Sequence, residues 1–256
     1  MVTFNLDILP QTVFAFMLVF ARVGTMVMLM PALGEMSISA RIRLLIGLTI
    51  AAVLLPSVGG YYPQVPSQIG VLASLVIFEI LIGLFIGLTA RLTMSALQIA
   101  GTAIAFQSGL AFAQNVDPTQ GIQSALIGTF LAVTAVALIF VSDLHHVLIA
   151  AMRDSFVLFK PGAPLPVGDF VEMATSVVSG AFKLGVQIAA PFLVFGLVFY
   201  AGLGVLSRLM PQIQVFFIAM PLNIMLAFVL LMVLMSGMMM WFLDYFETTM
   251  IRFVAG

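Results

Sequence analysis

The sequence predicts an all-α, polytopic membrane-type protein, built from helical hairpins with long kinked helices. Three observations carry this. Apolar residues fill 63% of the 256 positions and charged residues only 7%, and the mean hydropathy is +1.25. A water-exposed globular domain carries about 25% charged residues, so this chain cannot cover its surface with charge and must be solvated by lipid or by other protein. The apolar residues fall in segments long enough for bilayer-spanning helices, about 20 residues each, separated by Gly, Pro and charged clusters. Within the long segments polar residues recur every three or four positions, the period of one helix face.

The first segment lies between Pro10 and Pro31, with Arg22 near its middle. An ionisable residue that deep is by default buried against protein or water. A structural ion pair or carbonyl contact with a partner helix, and a transport role, are both open to it. The connection from Ala32 to Arg43, which contains Glu35 and Arg41, leads into a short second segment, Leu44 to Leu55, stopped by Pro56. The loop Ser57–Pro66, with Tyr61 and Tyr62, suits a membrane–water interface.

No proline interrupts Ser67 to Asp117. A single helix from Ile69 to Ala113 would be about 67 Å long, roughly twice a bilayer core, so a break is expected, at Ser108-Gly109. Glu79, Gly83, Gly87 and Arg91 follow one another at intervals of four, and Gly83-x-x-x-Gly87 allows close approach of another backbone. Ser95, Gln98 and Thr102 continue the polar stripe. The stretch Phe106–Gly121 then mixes rings and amides: Phe106, Gln107, Leu110, Phe112, Gln114, Asn115, Val116, Asp117 and Pro118. Irregular backbone at membrane depth is tolerated only where it is buried in protein or lines a water-filled cavity. An exposed loop is the alternative reading.

A fourth segment, Ile122–Val141, runs into Ser142-Asp143-Leu144-His145-His146. Adjacent histidines project about 100° apart on a helix, which argues against a shared metal ion and for a helix end at an interface, with Arg153 and Asp154 beyond it. Lys160–Pro166 reads as an external loop. Asp169 and Glu172 open the fifth segment as N-cap and capping-box glutamate. Glu172, Ser176, Ser179, Lys183 and Gln187 form one polar face, expected to meet a subunit or an aqueous path, and Pro191 should kink the helix. Pro211 should end that helix near Met210 and start the next. Residues 208–223 are then the tip of a helical hairpin. The sixth segment, Ile213 to about Leu243, holds a methionine run suited to helix packing, and Asp244, Glu247 and Arg252 end the chain in water. Placing the N-terminus outside leaves Arg41, Arg43, Arg91 and Arg208 inside and Arg153, Lys160 and Arg252 outside, a small bias for that orientation.

A net charge of −1 leaves no basic footprint for nucleic acid. The absence of cysteine excludes disulfides and thiolate metal sites. Met1–Asp7 lacks the positive start of a removable signal, and no further domain is expected at either end. There is no Walker loop, G-x-S-x-G, H-E-x-x-H or dinucleotide fingerprint. Neither covalent catalysis nor a cofactor or metal is expected.

Arg208-x-x-Pro211-Gln212-Ile213-Gln214-Val215-Phe216, followed by Met220-Pro221-Leu222-Asn223, resembles the C-terminal signature of the FliR family of flagellar biosynthesis and its type III secretion counterparts. Arg22, the loop before Asp117-Pro118 and Gly168-Asp169-Phe170 extend the resemblance over essentially the whole chain. It implies a component of the flagellar protein export gate in the bacterial inner membrane, at the flagellar basal body. Residues 1–165 would resemble the P-type gate subunit, with a channel plug near 106–121. Residues 166–256 would resemble the Q-type subunit, a hairpin with its tip near 208–214. The implied partners are P-type and Q-type subunits, the B-type switch subunit, the A-type export subunit, the unfolded flagellar proteins that pass, and lipid. On this basis Phe106–Pro118 is expected to plug the channel. Arg208, Pro211, Gln212, Gln214, Pro221 and Asn223 are expected to contact neighbouring subunits. Arg22, Glu79, Arg91 and Lys183 are expected to be buried at helix contacts. Two other classes compete: a secondary transporter using Glu79 or Lys183 as a proton site, against which the unmatched halves of the chain speak, and a membrane scaffold without a conduit.

Overall fold

A computed structural model describes residues 8–35, 38–110, 126–210 and 215–255. The described residues form helices and their connections, with no strand among them. Seven α-helices follow in order: α1 (Ile8–Leu29), α2 (Ala40–Val58), α3 (Ile69–Gln107), α4 (Leu126–Val141), α5 (Leu144–Leu158), α6 (Val167–Leu209) and α7 (Val215–Met250), with short 3-10 turns at Gly59–Tyr61 and Ile251–Phe253. Among the described residues five helices are long and apolar enough to cross a membrane, and six spans result if α4 and α5 count as one broken span. The fold is that of an all-α polytopic membrane protein. With 39, 43 and 36 residues, α3, α6 and α7 are each much longer than a bilayer core is thick, about 54 to 65 Å against about 30 Å.

Local chemistry explains most helix ends. The Ser39 side chain caps α2 by accepting from the Ile42 N–H. Pro56 does not stop α2 as expected; it lies in the last turn, and the helix passes into the Gly59–Tyr61 3-10 turn. Pro191 and Pro221 lie inside α6 and α7. Asp169 is not an N-cap. The helix starts two residues earlier, at Val167, so Asp169 sits in the first turn, where a carboxylate complements the positive end of the helix dipole. At the hairpin, α6 ends at Leu209, next to the expected end near Met210.

Two compact units make up the chain: one of Met1–Thr93, Phe140–Val177 and Phe246–Gly256, the other of Met94–Ile139 and Val178–Tyr245. This division by contact interleaves the sequence and differs from the division near 165, which rests on resemblance to two subunit types.

In the first unit α1 buries one stripe, Phe14, Leu18, Arg22 and Met26, with Ala15, Val19, Val23 and Val27 beside it, and Met30 just past its end is buried too. The opposite side leaves Val13, Met17 and Met28 exposed. The Gln11 side chain ties α1 to the interhelix loop: its Nε2 donates to the Pro63 carbonyl (2.9 Å) and its Oε1 accepts from the Val65 N–H (3.1 Å). The chain's last described residues fold back, with Phe253 edge-on to Phe85 at 5.9 Å and Phe85 stacked on Phe170 at 4.0 Å. The core of the second unit includes Leu97, Ala100, Ile104, Leu131, Ile188, Phe192, Leu231 and Phe242. There α3 and α4 touch backbone to backbone at Gly101 and Gly128, where an added methyl would overlap the facing chain.

A buried ion-pair cluster and the end of helix α3

Arg22 is fully buried in the first unit, and its side-chain N–H groups find partners on two other elements. Nε donates to Glu79 Oε2 at 2.5 Å and Nη2 to Glu79 Oε1 at 3.0 Å, a bidentate pair between α1 and α3. Nη1 donates to the Ser155 carbonyl at 2.8 Å and Nη2 to the Phe159 carbonyl at 3.0 Å. These carbonyls belong to the C-terminal end of α5, where unsatisfied C=O groups concentrate partial negative charge. The guanidinium also lies over the Phe156 ring, 4.3 Å from its centroid. Arg22 is therefore both the counter-ion of Glu79 and the C-terminal cap of α5.

The α1–α3 approach that permits this pair depends on Gly83 and Gly87. A methyl on Gly83 would run into the Thr25 hydroxyl and the Arg22 carbonyl, and one on Gly87 would come within 2.8 Å of Leu29 Cβ. Gly83→Val should force the helices apart and cost at least about 1–3 kcal/mol, the usual penalty of overpacking. A lowered melting temperature of the purified protein in detergent checks it, with Gly70→Val, where an added Cβ meets nothing, as the matched control.

Two neighbours of the cluster carry weak sequence signals. Tyr62 is buried against Phe156 (ring centroids 6.4 Å), with its hydroxyl close to the Glu79 carboxylate. Burial first, then the nearby Glu79 carboxylate, raise its pKa above the usual phenol range, so it stays protonated. Asp154 is 3% exposed; its Oδ2 accepts from the Ala255 N–H at 3.1 Å and its Oδ1 from Arg153 Nε at 2.6 Å. Sequence reasoning left Asp154 at an interfacial helix end, because nothing local announces that the C-terminus returns to it.

Arg91 and Lys183, expected to be buried at helix contacts in the assembly, are both exposed on this chain taken alone. Helical residues turn by about 100° each, so steps of four drift by about 40° and carry Arg91 about 120° away from Glu79. The buried face of α3 instead follows Glu79, Ile82, Ile86, Ala90 and Thr93. Lys183 lies on the polar face of α6, where Glu172, Ser176, Ser179 and Gln187 are exposed with it, while Val177, Ala181, Leu184 and Ile188 face inward.

In the second unit α3 ends at Gln107, and Ser108-Gly109 makes a turn in which Gly109 has φ +75°. That left-handed conformation favours glycine. Phe106 is exposed, while Gln107 and Leu110 are half-buried. Phe112, Gln114, Asn115, Val116, Asp117 and Pro118 lie outside the described residues, as do Pro211, Gln212 and Gln214. Arg208 and Pro221 are exposed. Asn223, expected to contact a neighbouring subunit, is instead 2% exposed inside its own chain. Its Nδ2 donates to the Gln107 carbonyl at 3.1 Å and lies 3.4 Å from the Tyr200 hydroxyl, while its buried Oδ1 has no partner among the described residues. Such an unpaired buried acceptor costs about 1–3 kcal/mol. The Gln107 side chain lies directly over Gly196 of α6, where an added methyl would sit 2.7 Å from its Cδ.

The Asp143, His145 and His146 ligand atoms lie within 4.8 Å of one another, closer than their adjacency suggested, because Asp143 adopts φ +60°. Asp143 and His146 are exposed and already pair at 3.6 Å.

Neither cluster is an arrangement for covalent chemistry; one joins three helices and the other fixes a helix end. Comparison with known proteins decides what such a chain belongs to. Residues 13–249 match the family model described as bacterial export proteins, family 1. The chain belongs to that family. Among its relatives is the flagellar biosynthetic protein FliR of Caulobacter vibrioides, 43% identical over 230 residues, covering 90% of this chain and 92% of the relative. The FliR of Bacillus subtilis is 31% identical, over 90% of this chain and 88% of its own length. The Yop proteins translocation protein T of Yersinia pestis is 25% identical, over 91% and 90%. As a member of this export family the chain is a membrane protein of a bacterial type III export system.

Proposed function

We propose that this protein is a subunit of the flagellar type III export gate in the bacterial inner membrane. In this reading it forms, with P-type and Q-type subunits, the closed channel through which unfolded flagellar proteins leave the cytoplasm, and Phe106–Pro118 plugs it. The B-type switch subunit and A-type export subunit complete the apparatus around it. The observation that carries the reading is the 43% identity to a flagellar biosynthetic protein over 90% of the chain. Long helices with exposed apolar sides, such as Leu197, Val198, Val205 and Leu209 on α6, are what a subunit surrounded by other subunits requires.

The P-like division at 1–165 and the Q-like hairpin at 166–256 are part of the same proposal, as is placement of the 208–214 tip at the cytoplasmic entrance. The exposed Arg91, and the α6 polar face with Lys183, are assigned to contacts with neighbours in the assembly. A transporter that uses Glu79 as its proton site is disfavoured, since both carboxylate oxygens are held by Arg22.

Purification in mild detergent tests the reading. The protein should come out in a defined hetero-oligomer with P-type and Q-type subunits, and Pro211→Ala or Gln212→Ala should lower its yield. Recovery of the protein alone or as a homo-oligomer, from cells that make all the subunits, would defeat it.

A further inference from the structure

We propose that Asn223 is a positioning residue that fixes where the chain leaves α3, and so sets the root of the 106–118 segment. The inference rests on the plug reading only for its consequence; the contact itself lies wholly within the second unit.

Four observations point to this role. Gln107 is the last residue of α3, and a terminal helix carbonyl lacks an acceptor role within its own helix. Asn223 Nδ2 supplies the donor at 3.1 Å, and a carbonyl can only accept, which settles the orientation of the amide. The backbone turns sharply two residues later, at Gly109, and a methyl there would sit 3.4 Å from the same Nδ2. Gln107 is confined from the other side by Gly196, and Tyr200 on α6 brings its hydroxyl to the Asn223 amide. Both arms of the α6–α7 hairpin therefore converge on one turn of backbone. A residue needed only for packing would be apolar at this depth. A neutral amide whose Nδ2 alone is engaged, by the Gln107 carbonyl and more loosely by the Tyr200 hydroxyl, makes instead a releasable contact.

The contact therefore acts as a latch: held, it keeps residues 108–110 in one path; released, it lets them swing about Gly109. Hydrogen–deuterium exchange of the intact export complex tests it, with Asn223→Asp as the principal variant. Aspartate keeps the shape and removes the donor. Exchange of the Ser108–Leu110 amides should accelerate about two- to tenfold, the worth of one neutral hydrogen bond. Gly196→Ala, which displaces Gln107 from the other side, should accelerate the same amides. Unchanged exchange in both variants, in complexes of normal composition, would overturn the proposal. Ion conductance of the same complexes separates the two readings. Faster exchange with a tight channel upholds the latch and counts against the plug. A leak on deleting 110–118, with exchange unmoved by Asn223→Asp, upholds the plug and overturns the latch.

Discussion

Glu79→Ala should destabilise the protein by about 3–5 kcal/mol, the cost of leaving one member of a buried ion pair without its partner. At about 1.4 kcal/mol per decade, that is a hundred- to several-thousand-fold fall in the folded fraction, which most membrane proteins of ordinary stability would show as loss from the cell. The size follows from the geometry. Arg22 is fully buried, and Glu79 accepts two of its four hydrogen bonds at or below 3.0 Å. Removing the carboxylate leaves a guanidinium with carbonyl partners alone. Steady-state abundance in membranes and a thermal melt in detergent measure it. The paired change Arg22→Met with Glu79→Leu sharpens the test, because replacing a whole buried pair by apolar side chains is often neutral or better. Recovery should be incomplete, since the Phe159 carbonyl loses its Arg22 donor and the Ser155 carbonyl keeps only the Phe159 N–H. If Glu79→Ala melts within a degree or so of wild type, the pair does not hold the first unit together.

Deleting residues 110–118, with the rest of the chain intact, should turn a tight resting channel into a conducting one. On the plug reading nothing else in this chain blocks the path, so the change is from background current to open-channel events rather than a graded rise. Reconstituted complexes in a planar bilayer, and membrane potential in growing cells, both report it. The deletion stops short of Gln107, so it does not remove the Gln107 carbonyl that accepts from Asn223. A complex that assembles normally and stays tight to ions would remove the plug role from this segment.

Much of this architecture is legible in the residues themselves. Composition alone demands lipid or protein as solvent, and a proline-free stretch too long for one bilayer demands a break, which the structure has after Gln107. The burial of Arg22 follows from its depth in the first apolar segment. Its full set of partners does not, because Ser155 lies 133 residues away and contributes a backbone carbonyl, which every residue has. Arg91 does not share the Glu79 face of α3 for a geometric reason: a four-residue step matches the helical turn closely enough to suggest a face over two steps and not over three. Asn223 misled because a polar residue beside a proline-bounded tip reads as surface chemistry. Only the fold shows that it lies inward, against Gln107 and Tyr200. The early start of α6, ahead of Asp169, escaped because an acidic residue suits the first turn nearly as well as the cap.

The way Arg22 is satisfied also orders events in time. Its ion-pair partner lies 57 residues downstream and its carbonyl partner 133. At about 5–20 residues per second, the ribosome needs roughly 3–11 s to deliver the first and 7–27 s to deliver the second. Until Glu79 is made, the opening helix carries a cation with no counter-ion, and until α5 is made its Nη1 lacks its carbonyl acceptor. The buried charge of the amino-terminal helix is thus completed in two stages, the second more than half a chain after the first helix leaves the ribosome.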